Sequence, residues 1–119
     1  MEHLPPPPDK VEAPAPDAPH WVAFDVLPYI KNRDELRRAL EREYPPLLRD
    51  AGIGGTTRVW FYIDETGKVV RTLVHTSSGH KPLDDAALRV ADLYEFAPAL
   101  RRDKAIAVWV SLDVTFKPR

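Results

Sequence analysis

The chain contains no cysteine, which excludes disulfides, thiolate metal sites and cysteine nucleophiles. It has almost no excess of charge: 17 Lys+Arg against 18 Asp+Glu give −1 at pH 7. A dedicated nucleic-acid-binding domain normally carries a basic excess, so no nucleic-acid partner is expected. Long apolar runs are missing too. The longest spans residues 105–110, far short of the roughly 20 residues of a membrane helix. No basic-then-apolar leader follows Met1. The 119 residues make one domain, and the chain as given reads as soluble.

Proline, by contrast, is abundant and unevenly placed. Seven of 13 prolines fall in the first 20 residues: Pro5 to Pro8, Pro14, Pro16 and Pro19. Proline fixes φ and removes backbone donors, so this stretch forms neither helix nor sheet. Its only large aliphatic residues after Met1 are Leu4 and Val11, too few to offset the entropy of ordering. Residues 1–20 therefore read as a flexible polyproline-II tether, with a reach of roughly 60 Å at about 3.1 Å per residue. The tether holds one basic and four acidic residues, a net −3, which leaves +2 on residues 21–119.

From Trp21 the composition changes. Trp21, Ala23 and Asp25 alternate with Val22, Phe24 and Val26, a two-residue period that marks extended chain. Residues 21–31 are expected to form a strap against a domain spanning 32–119. Asn32 followed by Glu35 has the spacing of a capping box, with Asn32 accepting from the first-turn amides. Leu36, Ala39, Leu40 and Glu43 or Tyr44 then recur at helical spacing. Pro45 and Pro46 interrupt that helix, and Pro46 opens a short turn that stops at Gly52.

Residues 57–63 alternate strictly, with Val59, Phe61 and Ile63 on one side and Arg58, Trp60 and Tyr62 on the other. Asp64 to Gly67 has hairpin-turn chemistry. The return strand, 68–76, keeps no single parity at Val69, Val70, Leu73 and Val74, which predicts a bulge or a strand apolar on both sides. Pro82 opens a helix whose stripe is Leu83, Ala86, Ala87, Val90, Ala91 and Tyr94. Residues 105–117 form the clearest strand: Ile106, Val108, Val110, Leu112, Val114 and Phe116 on one face, Ala107, Trp109, Ser111, Asp113 and Thr115 on the other.

The fold class that follows is α+β: a small, open, antiparallel three-stranded sheet with two helices on one face. An open sheet has edges, and a long terminal strand is a natural edge. Such an edge is an aggregation hazard unless a partner strand uses it. Other chemistries have weak support. His75 and His80 near Asp84 and Asp85 form no tight ligand motif, and His3 and His20 lie in the tether. Ser77 and Ser78 with His80 lack a nucleophile elbow. Asp84 and Asp85 suit the positive end of a helix. No catalytic residue, metal or cofactor is expected, and Arg101 to Lys104 reads as a solvated charged turn. Trp60, Tyr62 and Trp109 lie opposite the main apolar stripes. They either pack against the strap at residues 21–26 or form an exposed contact surface, where aromatics are enriched.

Several fragments in order resemble the C-terminal domain of the TonB energy-transducer family. These are Tyr44-Pro45, Gly52-Ile53 with Gly55, Val59, Phe61, Ile63 and Asp64 with the Gly67 turn, Ser77-Ser78-Gly79, Leu83-Asp84 with Ala86-Ala87-Leu88, and Phe96 with Pro98-Ala99. The likeness covers roughly residues 33–117, and the proline-rich stretch is similar to the family's periplasmic spacer. Leu47-Leu48 departs from it, since many members carry small or basic residues there. The resemblance implies a non-enzymatic adaptor in the periplasm. It would bind the TonB box of outer-membrane receptors by strand addition and transmit energy for transport across the outer membrane. The contact edge it implies is Ile106, Val108, Val110, Ser111, Leu112, Asp113, Val114 and Thr115, with Tyr44 and Pro45 near the first helix. It also implies coupling to ExbB–ExbD through an inner-membrane anchor absent from this sequence, and pairing of open edges could give a homodimer. The alternative is a TonB-like interaction or sensor module of a membrane signalling protein or an envelope scaffold.

Overall fold

The computed structural model describes residues 24–118. The expected tether and residues 21–23 of the strap lie outside the described residues. The elements run β1 (Tyr29–Ile30), α1 (Arg33–Glu43), α2 (Pro46–Asp50), β2 (Gly55–Ile63), β3 (Val69–Thr76), α3 (Lys81–Ala91), β4 (Phe96–Ala97), β5 (Ala99–Arg101), β6 (Lys104–Ile106) and β7 (Val108–Phe116). The main sheet is antiparallel with strand order β3-β2-β7.

One face of this sheet carries the core. Val59, Phe61 and Ile63 of β2 are completely buried, as are Leu83, Ala86, Ala87, Val90 and Ala91 of α3. The run of alanines lets α3 sit close to the sheet, and α1 adds Leu36 and Ala39. Phe61 lies at the centre, with ring centroids 4.8 Å from Tyr94 and 5.8 Å from Phe96. Across the helix pair, the Arg89 guanidinium donates to Glu43 at 2.9 Å. That bond, with a second from Arg42, holds the Glu43 carboxyl below its usual range.

The expected α+β sheet with two helices on one face is present, with three differences. A third helix, α2, occupies the short turn begun by Pro46. The capping expectation at Asn32 is corrected: its oxygen accepts from the Glu95 amide at 3.0 Å, and its nitrogen donates to Leu93 O at 2.8 Å and Glu35 at 3.0 Å. Asn32 therefore ties the start of α1 to the chain after α3 instead of capping its own helix. The terminal strand is also divided at Ala107, because its partner changes. β6 pairs with β5, while β7 pairs with β2.

The charged stretch at Arg101 to Lys104 is a tight hairpin. Arg102 and Asp103 both have left-handed backbone, φ 52° and 65°, as a two-residue hairpin turn requires. The described part of the strap runs along this hairpin. Val26 exchanges backbone bonds with Leu100, and Asp25 accepts from the Arg102 amide at 2.6 Å. Further on, β1 pairs with β4.

Asp84 does more than face a helix dipole. It accepts from the Thr57 hydroxyl at 2.7 Å, the Ser78 amide at 2.9 Å, the Ser78 hydroxyl at 2.8 Å and the Ser77 hydroxyl. This locks the 77–80 loop and α3 onto β2. Burial opposes the charge, but those bonds outweigh it and lower the pKa from 3.8 to about 2. The depressed value means that Asp84 contributes its stability fully above about pH 4, and loses it as pH falls from 3.8 through about 2. The ceiling is about 2.5 kcal/mol at 1.36 kcal/mol per pH unit. The side chain is partly solvated, so about 1 kcal/mol is expected. Urea titrations of the protein and of Asp84→Asn check this: the gap between their stabilities is expected at pH 6 and is expected to close near pH 2.

Candidate strand-docking edge

β2 is the central strand, so the sheet has two outer edges, on β3 and on β7, and they differ. β3 carries two register shifts against β2, with Val70 and His75 as the extra residues. Bulges twist an edge and spoil it for further pairing. β7 pairs with β2 through nine consecutive residue pairs, Gly55–Phe116 to Ile63–Val108, with no shift. Its far edge is unpaired among the described residues.

Backbone alternation then fixes which groups of β7 face outward. The Asp64 amide donates to Lys68 O across the hairpin, so the neighbouring Ile63 turns its backbone groups toward β7. Counting along the unshifted ladder, Val108, Val110, Leu112, Val114 and Phe116 bond β2. Trp109, Ser111, Asp113 and Thr115 present theirs to the outer edge.

The side chains divide the same way. Val108 and Val114 are buried, while Val110 and Leu112 are half-buried against the core. On the far face Thr115 bonds Thr56 at 2.9 Å and Asp113 pairs with Arg58 at 2.9 Å. Ile106 lies on β6, off the strand that pairs with β2.

The fold brings Tyr44 to the end of this strand. Its ring packs on Phe116 at 5.2 Å and its hydroxyl donates to Ile53 O at 2.7 Å. Pro45 is half-buried at the start of α2. A shallow apolar cleft of about 220 Å³ opens there, lined by Arg37, Leu40, Tyr44, Thr115 and Phe116 among others. Leu40 was read from the sequence only as part of the buried stripe of α1, and Arg37 was not singled out, although they lie about one and two turns before Tyr44 on its side of the helix. Of the unusual Leu47-Leu48 pair, Leu48 packs on the core and Leu47 is 86% exposed. Among the described residues no group of three or more His, Asp or Glu could hold a metal. No helix there is long and apolar enough to cross a membrane.

The geometry is that of a small α+β domain with one blunted edge and one regular open edge. Comparison with known proteins places it. The family model for the Gram-negative bacterial TonB protein C-terminal matches residues 41–118, and the chain belongs to that family, which is non-enzymatic. The chain is similar to Protein tonB2 of Pseudomonas aeruginosa, 37% identical over 75 residues, covering 63% of this chain and 28% of that protein. It is also similar to Protein TonB of Vibrio cholerae, 27% identical over 78 residues, covering 66% of this chain and 32% of that protein. The chain thus matches about a third or less of the length of these curated relatives.

Proposed function

We propose that this domain is the receptor-binding end of a periplasmic TonB-type adaptor. An extended segment of an outer-membrane receptor, the TonB box, adds as a strand to the outer edge of β7. Pull arriving through residues 1–20 is then passed to the receptor for active transport across the outer membrane. The partners are the receptor segment on one side and, through an inner-membrane anchor upstream, ExbB–ExbD on the other. The observation that carries the reading is the unshifted nine-pair ladder of β7 on β2 beside a doubly bulged β3.

Backbone bonds from Ser111 and its alternate neighbours supply grip, and side chains on either face supply selection. Ile106 contributes as the approach to that strand, Tyr44 as a wall of the cleft at its end, and Pro45 as the residue that follows Tyr44 at the start of α2. A second copy of this chain is a competitor for the same edge.

Proline substitution tests the edge. Ser111→Pro removes an outward donor and leaves every bond to β2 in place, a placement of proline that an edge strand tolerates. The variant is expected to keep its circular dichroism spectrum and to bind a TonB-box peptide at least about tenfold more weakly, since the lost hydrogen bond and the ring both act against pairing. Leu112→Pro removes a donor that bonds β2 and is expected to unfold the domain. Unchanged peptide affinity in folded Ser111→Pro contradicts docking at this edge and favours the sensor or scaffold reading.

A further inference from the structure

Leu100 of β5 exchanges backbone bonds with Val26: its amide donates to Val26 O, and its oxygen accepts from the Val26 amide, each at 3.1 Å. Its backbone groups are therefore turned away from β6. Residues directly opposite each other in an antiparallel pair either bond one another or both face outward. Ala105 is the cross-strand partner of Leu100, so it presents its N–H and C=O to the outer side of β6, while Lys104 and Ile106 bond β5. The ladder of β7 on β2 gives the same parity from separate bonds, with Val108 inward and Trp109 outward. No left-handed residue interrupts residues 104–116, since Arg102 and Asp103 are the only non-glycine residues with positive φ among those described. Thus β2 turns back at Asp64, and β5 lies beyond it on the same side of the terminal strand. The outer edge is one line of backbone groups from Ala105, Ala107, Trp109, Ser111, Asp113 and Thr115. It is unpaired on both β6 and β7 among the described residues. None of the six is proline, and the one charge, on Asp113, is paired with Arg58 at 2.9 Å.

We propose that the receptor segment docks along the whole of this line, on β6 as well as on β7. The inference rests on the docking reading above and adds the length and backbone chemistry of the partner. An edge from Ala105 to Thr115 matches an extended segment of about eleven residues, about 37 Å long at ~3.4 Å per residue. Every second residue of that segment gives its N–H to the edge, so proline is excluded at those positions. Ala105 and Ala107 are small, which leaves room for bulky side chains opposite them. The β5–β6 hairpin then holds the segment on one side and the strap, through Val26, on the other. Pull arriving through the strap reaches the segment across this hairpin.

Amide hydrogen exchange of the full chain, with and without a receptor peptide, tests the proposal. The peptide is a TonB box with its flanking residues, about 15 residues in all, so that it covers the edge whichever way the strand runs. At saturation all six outward amides are expected to slow at least about tenfold, Ala105 and Ala107 included. Ala105→Pro removes the outward donor of β6 and spares the bonds of Lys104 and Ile106 to β5. It is expected to keep the circular dichroism spectrum and to bind the same peptide about fivefold more weakly, the effect of one lost hydrogen bond. Slowed exchange at Ser111 and Asp113 with unchanged exchange at Ala105 and Ala107 overturns the proposal and leaves docking on β7 standing. Full affinity of the folded Ala105→Pro variant does the same. Unchanged exchange at Ser111 and Asp113 as well overturns the docking reading and this inference with it. The exchange measurement uses the unmodified chain, so its outcome does not depend on the folding of any variant.

Discussion

Phe61→Ala is expected to cost about 3–5 kcal/mol, a large share of the total stability of about 5–15 kcal/mol for proteins of this kind. Phe61 is completely buried at the middle of the central strand, and its ring is held by Tyr94 and Phe96. The cavity left by alanine cannot be filled from the helix side, because the facing residues of α3 include Ala86, Ala87 and Ala91, which have no longer side chain to move in. Equilibrium urea unfolding measures the loss. A change below about 1 kcal/mol, the range of surface substitutions, would mean that Phe61 does not face the helices.

Gly67→Ala is expected to be nearly as damaging, for a backbone reason. Gly67 closes the β2–β3 hairpin at φ +88°, and a Cβ there would stand 1.8 Å from Phe96 O and 2.8 Å from Phe96 C. Phe96 cannot retreat freely, since its amide bonds Gly67 O at 3.1 Å and it is paired with Ile30. Left-handed backbone alone costs a non-glycine residue about 1–2 kcal/mol, and overpacking adds about 1–3 kcal/mol. Gly79→Ala provides the comparison. Its φ is +91° but nothing lies within 4 Å, so only the first penalty applies. The difference between the two variants in thermal or urea unfolding isolates the contact with Phe96. Equal losses would show that this contact can yield.

The parts of this fold set by local chemistry were legible in the sequence. Strict alternation at Val59, Phe61 and Ile63 identified β2 and its buried face. Asp64 and Gly67 marked the hairpin, where Asp64 accepts from the Thr66 and Lys68 amides at 2.9 Å each. The broken parity of Val69, Val70, Leu73 and Val74 announced the bulges, though not their result, which is to send Leu73 to the far face.

Features set by distant partners were not legible. Asn32 has a capping-box neighbour in Glu35, yet the Glu95 amide and Leu93 carbonyl compete for its side chain and win. Residues 105–117 show one unbroken alternation, and only the arrival of β5 beside β6 divides it. The two-residue pairing of β1 with β4 has no signal of its own. At the docking edge, the outward parity of Ser111 and Asp113 follows from the hairpin register, which alternation alone does not supply. The cleft beside Tyr44 depends on α1 crossing the end of β7.

Amide chemical-shift mapping tests the central claim most directly. A TonB-box peptide is added to isotope-labelled full chain. The largest shifts are expected along residues 106–115, above all at the outward amides of Trp109, Ser111, Asp113 and Thr115, with smaller ones in residues 57–63 and in β3. The affinity is expected to be modest, because an unstructured peptide loses conformational entropy on joining a sheet. It is also expected to change little with salt, since backbone pairing and apolar contact dominate. Largest shifts in the β2–β3 hairpin, or no binding of any receptor-derived peptide, would contradict the account.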